Sequence, residues 1–525
     1  MMKQTRCYKV CRLLFAAGLL AITLCGCTGD KLGNGQGTSV SVDDSTTQAE
    51  PKKGGSVVVG IQQDLDSLDP HMADAAGTSE VLFNIFEGLV KPDKDGNLIP
   101  AVASKYEISE DGMTYTFTLR DGITFHSGEP VTIDDVIYSV NRCAGKLEGQ
   151  EAPLVSAYSV ITEVNRIDDK TVELVLESGD TELIGYLTAA IIPKDYEKQG
   201  ESPVGTGPFR FVSYSPQHAF VMEAYKDYWQ QGMPYLDKVE FRIVANTDSA
   251  MLELKGGSID LYPYLTSDQA RELEGQMEVL LGPSNLVQAL FLNNAEPPFD
   301  NVKVRQALAC LVNPQEIMDM VADGYGTEIG SNMFPAFSKY YLESTKDIYS
   351  PDVERAKALL AEAGYSDGFE MTITVPSNYQ FHVDTAQVIV EELKQGNIQA
   401  KINLVEWETW ISDIYRGRQY QGTIVGLDAD LAPKDLLDRY HSEARNNFVN
   451  FSNEEYDKVL EEAMASIDDA EKVEKYQRLQ QILAEQAASV YIQDPAKLVA
   501  INPKLDGFEF YPVYVLDMAS VYFNN

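Results

Sequence analysis

Cysteine is scarce and poorly placed for cross-linking. Four of the six (Cys7, Cys11, Cys25 and Cys27) fall at the extreme N-terminus, which leaves Cys143 and Cys310 for the rest of the chain. At most one disulfide could form there, so the fold must rest on its core, and two thiols so far apart are expected to be buried and free. Histidine is equally sparse. His71, His126, His218, His382 and His441 never share a helical turn and no HExxH occurs, so zinc chemistry has no support. Bases are outnumbered, with 42 lysines and arginines against 80 acids and a formal net charge of −38. Such a surface repels nucleic acid and reads as a solvated, acidic exterior. After Leu24 no apolar run approaches the roughly 18 residues of a membrane helix. No GxSxG elbow is present, and Gly205-Thr206-Gly207-Pro208-Phe209 lacks the third glycine and the following helix of a dinucleotide loop. Asp93-Lys94-Asp95-Gly96-Asn97 has its glycine too early for a calcium loop and reads as a hairpin turn. The expectation is a protein without metal, cofactor or catalytic set, hence not an enzyme. Chance carboxylate pairs among so many acids leave a hydrolase to be judged by geometry.

What the chain does have begins with an address. Lys3, Arg6, Lys9 and Arg12 precede an apolar run from Leu13 to Leu24, too short to span a bilayer but suited to a secretory leader. Leu24-Cys25-Gly26-Cys27 resembles the bacterial lipobox, which implies cleavage after residue 26 and a lipid on Cys27. Cys25 cannot serve, because Leu24 before it is too large for the small-residue position. Loss of a leader (1–26) with four bases and no acids would leave a charge of −42. Residues 27–53 are rich in Gly, Ser, Thr and Asp and read as a flexible tether. A lipid bearing two or more chains would hold the protein stably, extracytoplasmic and anchored to the membrane.

A chain of 525 residues suggests two or three domains. Val57, Val58, Val59 and Ile61 read as a buried strand, and Thr114 to Arg120 alternates strictly, with Tyr115, Phe117 and Leu119 on one face. Thr132 and Asp135 form a capping-box pattern ahead of Val136, Ile137 and Val140. Val239, Phe241 and Ile243 alternate again. Further on, strand and helix follow one another. A helix is expected from Pro351 to Gly364, a strand from Met371 to Val375, a helix from about Val383 to Lys394, and strands near Ile402 to Val405 and Thr423 to Leu427. Such alternation argues for an α/β lobe.

The segment Ala101 to Asn141 resembles the hallmark of the extracellular solute-binding proteins of family 5, the peptide- and nickel-type receptors of ABC importers. Further matches follow in order: Ser67-Leu68-Asp69-Pro70, Phe86-Glu87-Gly88-Leu89, Gly205 to Phe209, Tyr228-Trp229, Pro298 to Leu308, Ala356 to Leu360 and Ala363-Gly364-Tyr365. The resemblance implies an α/β, two-lobed periplasmic-binding-protein-like (class II) fold with an extra domain inserted in the first lobe. By analogy domain I takes 54–75, 204–286 and 496–525, domain II 76–203 and domain III 287–495. The ligand would lie between domains I and III, in a monomer whose closed form docks on an ABC permease driven by its ATPase.

A buried peptide needs its ammonium paired with a carboxylate and its backbone hydrogen-bonded. Peptide receptors of the family carry a Trp, an amine-binding Asp three residues later and then a Pro. Here Leu427 stands in the Trp position, and Asp430 has the right offset but lies one residue too near Pro433, so either Asp430 or Asp428 is the candidate. The place where dipeptide receptors carry an Arg holds Pro376-Ser377-Asn378-Tyr379-Gln380, so a longer peptide is expected, with Asn378, Tyr379 and Gln380 on its backbone. Trp407 and Trp410 would form an aromatic wall, which suits apolar side chains or a sugar ring. Carbohydrate, a nickel chelate and a role in sensing stay open as alternatives to peptide uptake.

Overall fold

The β-branched run inside Ser56–Ile61 suits a pleated surface covered on both sides. In the computed structural model, which describes residues 51–73, 75–244, 246–429 and 431–524, this strand is the centre of a seven-stranded sheet. The order across it is Glu278–Pro283, Ala496–Ile501, Leu261–Leu265, Ser56–Ile61, Lys238–Ile243, Ala219–Ala224 and Phe209–Ser215. Val57 lies beside Val239 and Val59 beside Phe241 in a parallel pair. The sheet thus gathers three distant stretches of chain around a core that includes Phe209, Phe220, Phe241 and Leu516.

A second, six-stranded sheet runs Thr327–Glu328, Ser489–Asp494, Val287–Leu292, Gly422–Leu427, Glu370–Pro376 and Gln399–Val405. Glu370–Pro376 and Gln399–Val405 are parallel and joined through the helix Gln380–Leu393, whose Val383, Ala386, Ile389 and Leu393 make one buried stripe at helical spacing. That helix starts three residues before the expected Val383. The helix expected from Pro351 instead starts at Val353. The Asp352 carboxylate accepts the Arg355 N–H at 2.9 Å, and this cap fixes the first turn two residues beyond Ser350.

Residues 103–176 build a four-stranded antiparallel sheet with its own core, in which Tyr115, Phe117 and Leu119 face inward as their alternation requires. Helix Ile133–Cys143 packs on it, and the Asp135 carboxylate accepts the Thr132 N–H at 2.9 Å. The Asp93 carboxylate accepts the Asn97 N–H at 2.8 Å and closes the hairpin between Val90–Pro92 and Leu98–Pro100. Cys143 and Cys310 are buried and free. Among the described residues no helix is long and apolar enough to cross a membrane. The leader, Cys27 and most of the tether lie outside them, as does Asp430.

Several motifs that are scattered along the sequence meet in space. The buried Glu87 carboxylate accepts the Tyr228 hydroxyl and the Trp229 indole N–H, both at 2.8 Å, across 141 and 142 positions. Thr206 reaches the same carboxylate at 3.4 Å. Gly205 and Gly207 press against the backbone of Asn84 and Ile85, where a Cβ would stand 2.1 Å from the Ile85 oxygen and 2.6 Å from the Asn84 oxygen. Asp69 holds Arg142 at 2.7 and 2.9 Å, and Arg305 donates to the carbonyls of Phe299, Gln486 and Ala487. These motifs are joints of the fold.

The chain passes between the two large sheets twice, at 283–287 and at 494–496, and the two passages are bonded to each other. Ser284 N–H donates to the Pro495 carbonyl at 2.8 Å and Leu286 N–H to the Asp494 carboxylate at 3.1 Å. Burial pushes the Asp494 carboxyl up from 3.8 to about 7, despite the opposing pull of the backbone N–H groups of 284–286. A carboxyl raised on folding favours the folded state fully below its unfolded value and loses that advantage as pH rises through the folded one. Asp494→Asn keeps an oxygen for the N–H groups and removes the charge. Relative to the parent it is expected to gain roughly 1–3 kcal/mol above neutrality and nothing near pH 4. Denaturant melts at pH 4.5 and 8.5 check this, and an equal difference at both would refute it.

Candidate functional site

Gly422–Leu427 is a strand with little exposure, and the chain turns polar immediately after Leu427, so Asp428 emerges at the strand's carboxyl end. Ligands of open α/β sheets gather at such ends. Asp428 and Ala429 there face a pocket completed by Ser284 and Asn285 of the first passage, Lys497 of Ala496–Ile501 and the C-terminal segment 508–515. Both large sheets and one passage between them therefore contribute. The space enclosed is about 30 Å³, room for about two waters.

The charges around it are few and specific. The Tyr514 hydroxyl faces Asp428; burial raises its pKa, and the negative charges of Asp428 and then Glu80 raise it further. Tyr514 as a whole is 39 % exposed, with its hydroxyl bonded to Asp428. Lys497 donates from Nζ to Glu80 Oε1 at 2.9 Å, and Tyr264 donates to the other oxygen of Glu80. The Glu80 side chain is 3 % exposed and that of Lys497 23 %. No group of metal-ligating side chains occurs among the described residues.

The remaining expected contacts separate into two sets. Tyr379 stands edge-on to Trp407 at 5.4 Å, and Trp407 stacks on Trp410 at 5.1 Å with the rings 4° apart. Trp410 is 2 % exposed, donates its indole N–H to Thr423 at 2.9 Å and packs on Phe448; it belongs to the core. Tyr379 is exposed, as are Asn378 and Gln380, and the Gln380 amide is engaged with Asp384 at 2.7 Å. None of these five lines the enclosed pocket. Sequence reasoning missed Lys497, Tyr514 and Glu80. The aromatic run Phe508-Glu509-Phe510-Tyr511-Pro512-Val513-Tyr514, with neither helical nor strand period, was the available signal for Tyr514. Glu80 gave none.

A second set of contacts ties the four-stranded region to the far side of the six-stranded one. Asp180 pairs with Lys434 at 2.8 Å, Glu182 with Lys472 at 3.4 Å, and Tyr476 and Tyr186 donate to Glu182 and Asp435. Gly185 lies against Leu431, where a Cβ would stand 3.0 Å from the carbonyl oxygen. These largely buried pairs bridge the two regions well away from the strand passages.

A family model described as bacterial extracellular solute-binding proteins, family 5, middle part, matches residues 97–448. The glutathione-binding protein GsiB of Pectobacterium atrosepticum is 28 % identical over 477 residues, covering 87 % of this chain and 91 % of its own length. Among solved structures, AgaA of A. tumefaciens, bound to agropinic acid, is 27 % identical with a TM-score of 0.72 and covers 90 % of this chain and 99 % of its own. DppA of Helicobacter pylori, bound to the peptide STSA, is 25 % identical with a TM-score of 0.73 over the same shares. The two-lobed periplasmic-binding-protein-like fold follows from these matches together with the two large sheets.

The different settings of the stacked tryptophans can be tested. Trp410→Ala is expected to lower unfolding free energy by about 3–5 kcal/mol, as for other large buried rings, while Trp407→Ala loses mainly a stacking contact, about 0.5–1.5 kcal/mol. Urea denaturation measures both, and equal losses would contradict the core assignment of Trp410.

Proposed function

The chain belongs to the bacterial extracellular solute-binding proteins of family 5, and we propose that it is a membrane-tethered receptor that captures short peptides and delivers them to an ABC permease and its ATPase. The observation that carries the ligand class is the position of Asp428, a carboxylate at the carboxyl end of a buried strand, facing the other sheet's C-terminal segment across the pocket. A peptide ammonium needs such a partner once water is excluded. The relatives whose names or complexes specify a peptide, glutathione for GsiB and STSA for DppA, support the same class.

Capture works by closure. The pocket is small, and in this scheme the lobes part for entry and close over the ligand afterwards. In this scheme domain I comprises 54–75, 204–286 and 496–525, domain II 76–203 and domain III 287–495, with the passages at 283–287 and 494–496 as hinge. The pairs joining Asp180 and Glu182 to Lys434 and Lys472 then belong to the closed form and set, with the ligand's contacts, how far closure is favoured. Asn378, Tyr379, Gln380 and Trp407 would meet the distal part of a longer peptide at the opened rim. Asp430 is the alternative amine contact. The protein acts as a monomer, performs no chemistry on its ligand and is held to the membrane by a lipid on Cys27.

Native mass spectrometry of the leaderless protein is expected to show copurified masses that fragment as peptides; copurified sugars or opine-like acids would overturn the peptide class. By titration calorimetry, Asp428→Asn should weaken a free-amine peptide by about tenfold or more and leave its weaker N-acetylated form unchanged. Equal binding of the free-amine peptide by parent and variant would move the amine contact to Asp430. Cys27→Ser is expected to shift the protein from the membrane to the soluble extracytoplasmic fraction; persistence in the membrane would exclude the lipid anchor.

A further inference from the structure

The pocket holds one cation among its described lining residues, Lys497, and its placement is unusual. The lysine stands one residue past the second passage between the sheets, and behind it Glu80 of helix Ala76–Leu82 is buried with both carboxylate oxygens occupied, one by Lys497 and one by Tyr264. A buried ion pair contributes little net stability, because desolvating both charges offsets their attraction. What such a pair does provide is position. Glu80 holds the lysine Nζ at 2.9 Å and takes one of its three donors, which leaves two for a ligand in the pocket that Lys497 lines. Across the pocket lies Asp428, and the Tyr514 hydroxyl sits where the negative charges of Asp428 and Glu80 are both felt. One cation, Lys497, and two acids, Asp428 and Glu509, thus border the same small space.

We propose that Lys497 is a ligand-binding residue that accepts a carboxylate while Asp428 accepts an ammonium, so that the pocket selects a ligand end on which both charges stand on one carbon, the free α-amino acid head group. An ordinary peptide N-terminus offers the ammonium beside a neutral amide. A γ-linked glutamyl peptide offers both charges together. Glu80 is the positioning residue and touches no ligand. This inference rests on the peptide-receptor reading and narrows it to a head-group class.

Two isomers of one composition test it: γ-Glu-Cys-Gly and α-Glu-Cys-Gly, titrated calorimetrically into the leaderless protein under reducing conditions. The parent is expected to favour the γ-isomer by about ten- to hundredfold, the range of one charge-assisted hydrogen bond. Lys497→Arg should retain a preference, and Lys497→Met should abolish it by weakening the γ-isomer alone. Because Lys497→Met leaves Glu80 buried without its partner, the double variant Glu80→Gln/Lys497→Met serves as the folded control, with its melt checked first, and should show the same loss. Glu80→Gln by itself should reduce the preference and be improved by Lys497→Arg. No isomer preference in the parent, or a preference kept when Lys497 is replaced by Met, overturns the head-group assignment and leaves peptide capture standing. Failure of both isomers while a mixed peptide pool binds overturns it equally. Failure of the pool as well overturns the peptide reading itself.

Discussion

The structure turns on the pair of strand passages at 283–287 and 494–496. Each of the two large sheets has its own core, and among the described strands only these two short stretches carry the chain from one to the other. They are bonded together through Ser284 and Pro495 and through Leu286 and Asp494, so they act as one element and limit how the sheets can move. The two passages run side by side in opposite directions, each continuing an antiparallel strand pair. Everything else at the site follows from that limit: Asp428, Lys497 and Tyr514 come from strands and segments that only this crossing brings face to face.

Electrostatics is used in opposite ways inside and outside. The chain as a whole is strongly acidic, with 80 acids against 42 bases. Inside, several buried carboxylates have defined partners. Glu87 gathers Tyr228, Trp229 and Lys91 at a junction of the chain, Glu182 ties separate regions together through Lys472 and Tyr476, and Glu80 aims Lys497. Asp494 and Glu392 differ, each keeping one buried carboxylate oxygen without a partner, and burial raises the Asp494 carboxyl to about 7 at the passage between the sheets.

Much of the architecture was legible because local signals are strong where side chains face a core. The alternation at Thr114–Leu119, the capping pattern at Thr132 and Asp135 and the Val-rich opening strand each declare their element without reference to the rest. Helix starts were less legible. Both Ser350 and Asp352 can cap, and the choice depends on which side chain reaches a free N–H, a matter of backbone geometry that residue types do not encode. The same limit applies to the tryptophans. Trp407 and Trp410, three residues apart, share a helical face in any sequence reading, yet one is sealed by Thr423 and Phe448 and the other stays at the rim.

By itself the sequence determined the α/β character and the acid-rich strand end at Asp428, which depend on composition and short-range periodicity, and its ordered motifs carried the family resemblance; the leader and the tether are readings of the sequence alone. The tertiary structure decided that Asp428 and Lys497 border one pocket, that Glu80 pairs with the lysine, and that Tyr228 and Trp229 meet Glu87. These join positions 69 to 417 residues apart along the chain, in direct contact or across one pocket. No periodicity links such positions, and only the packing of one sheet edge against another fixes their distance.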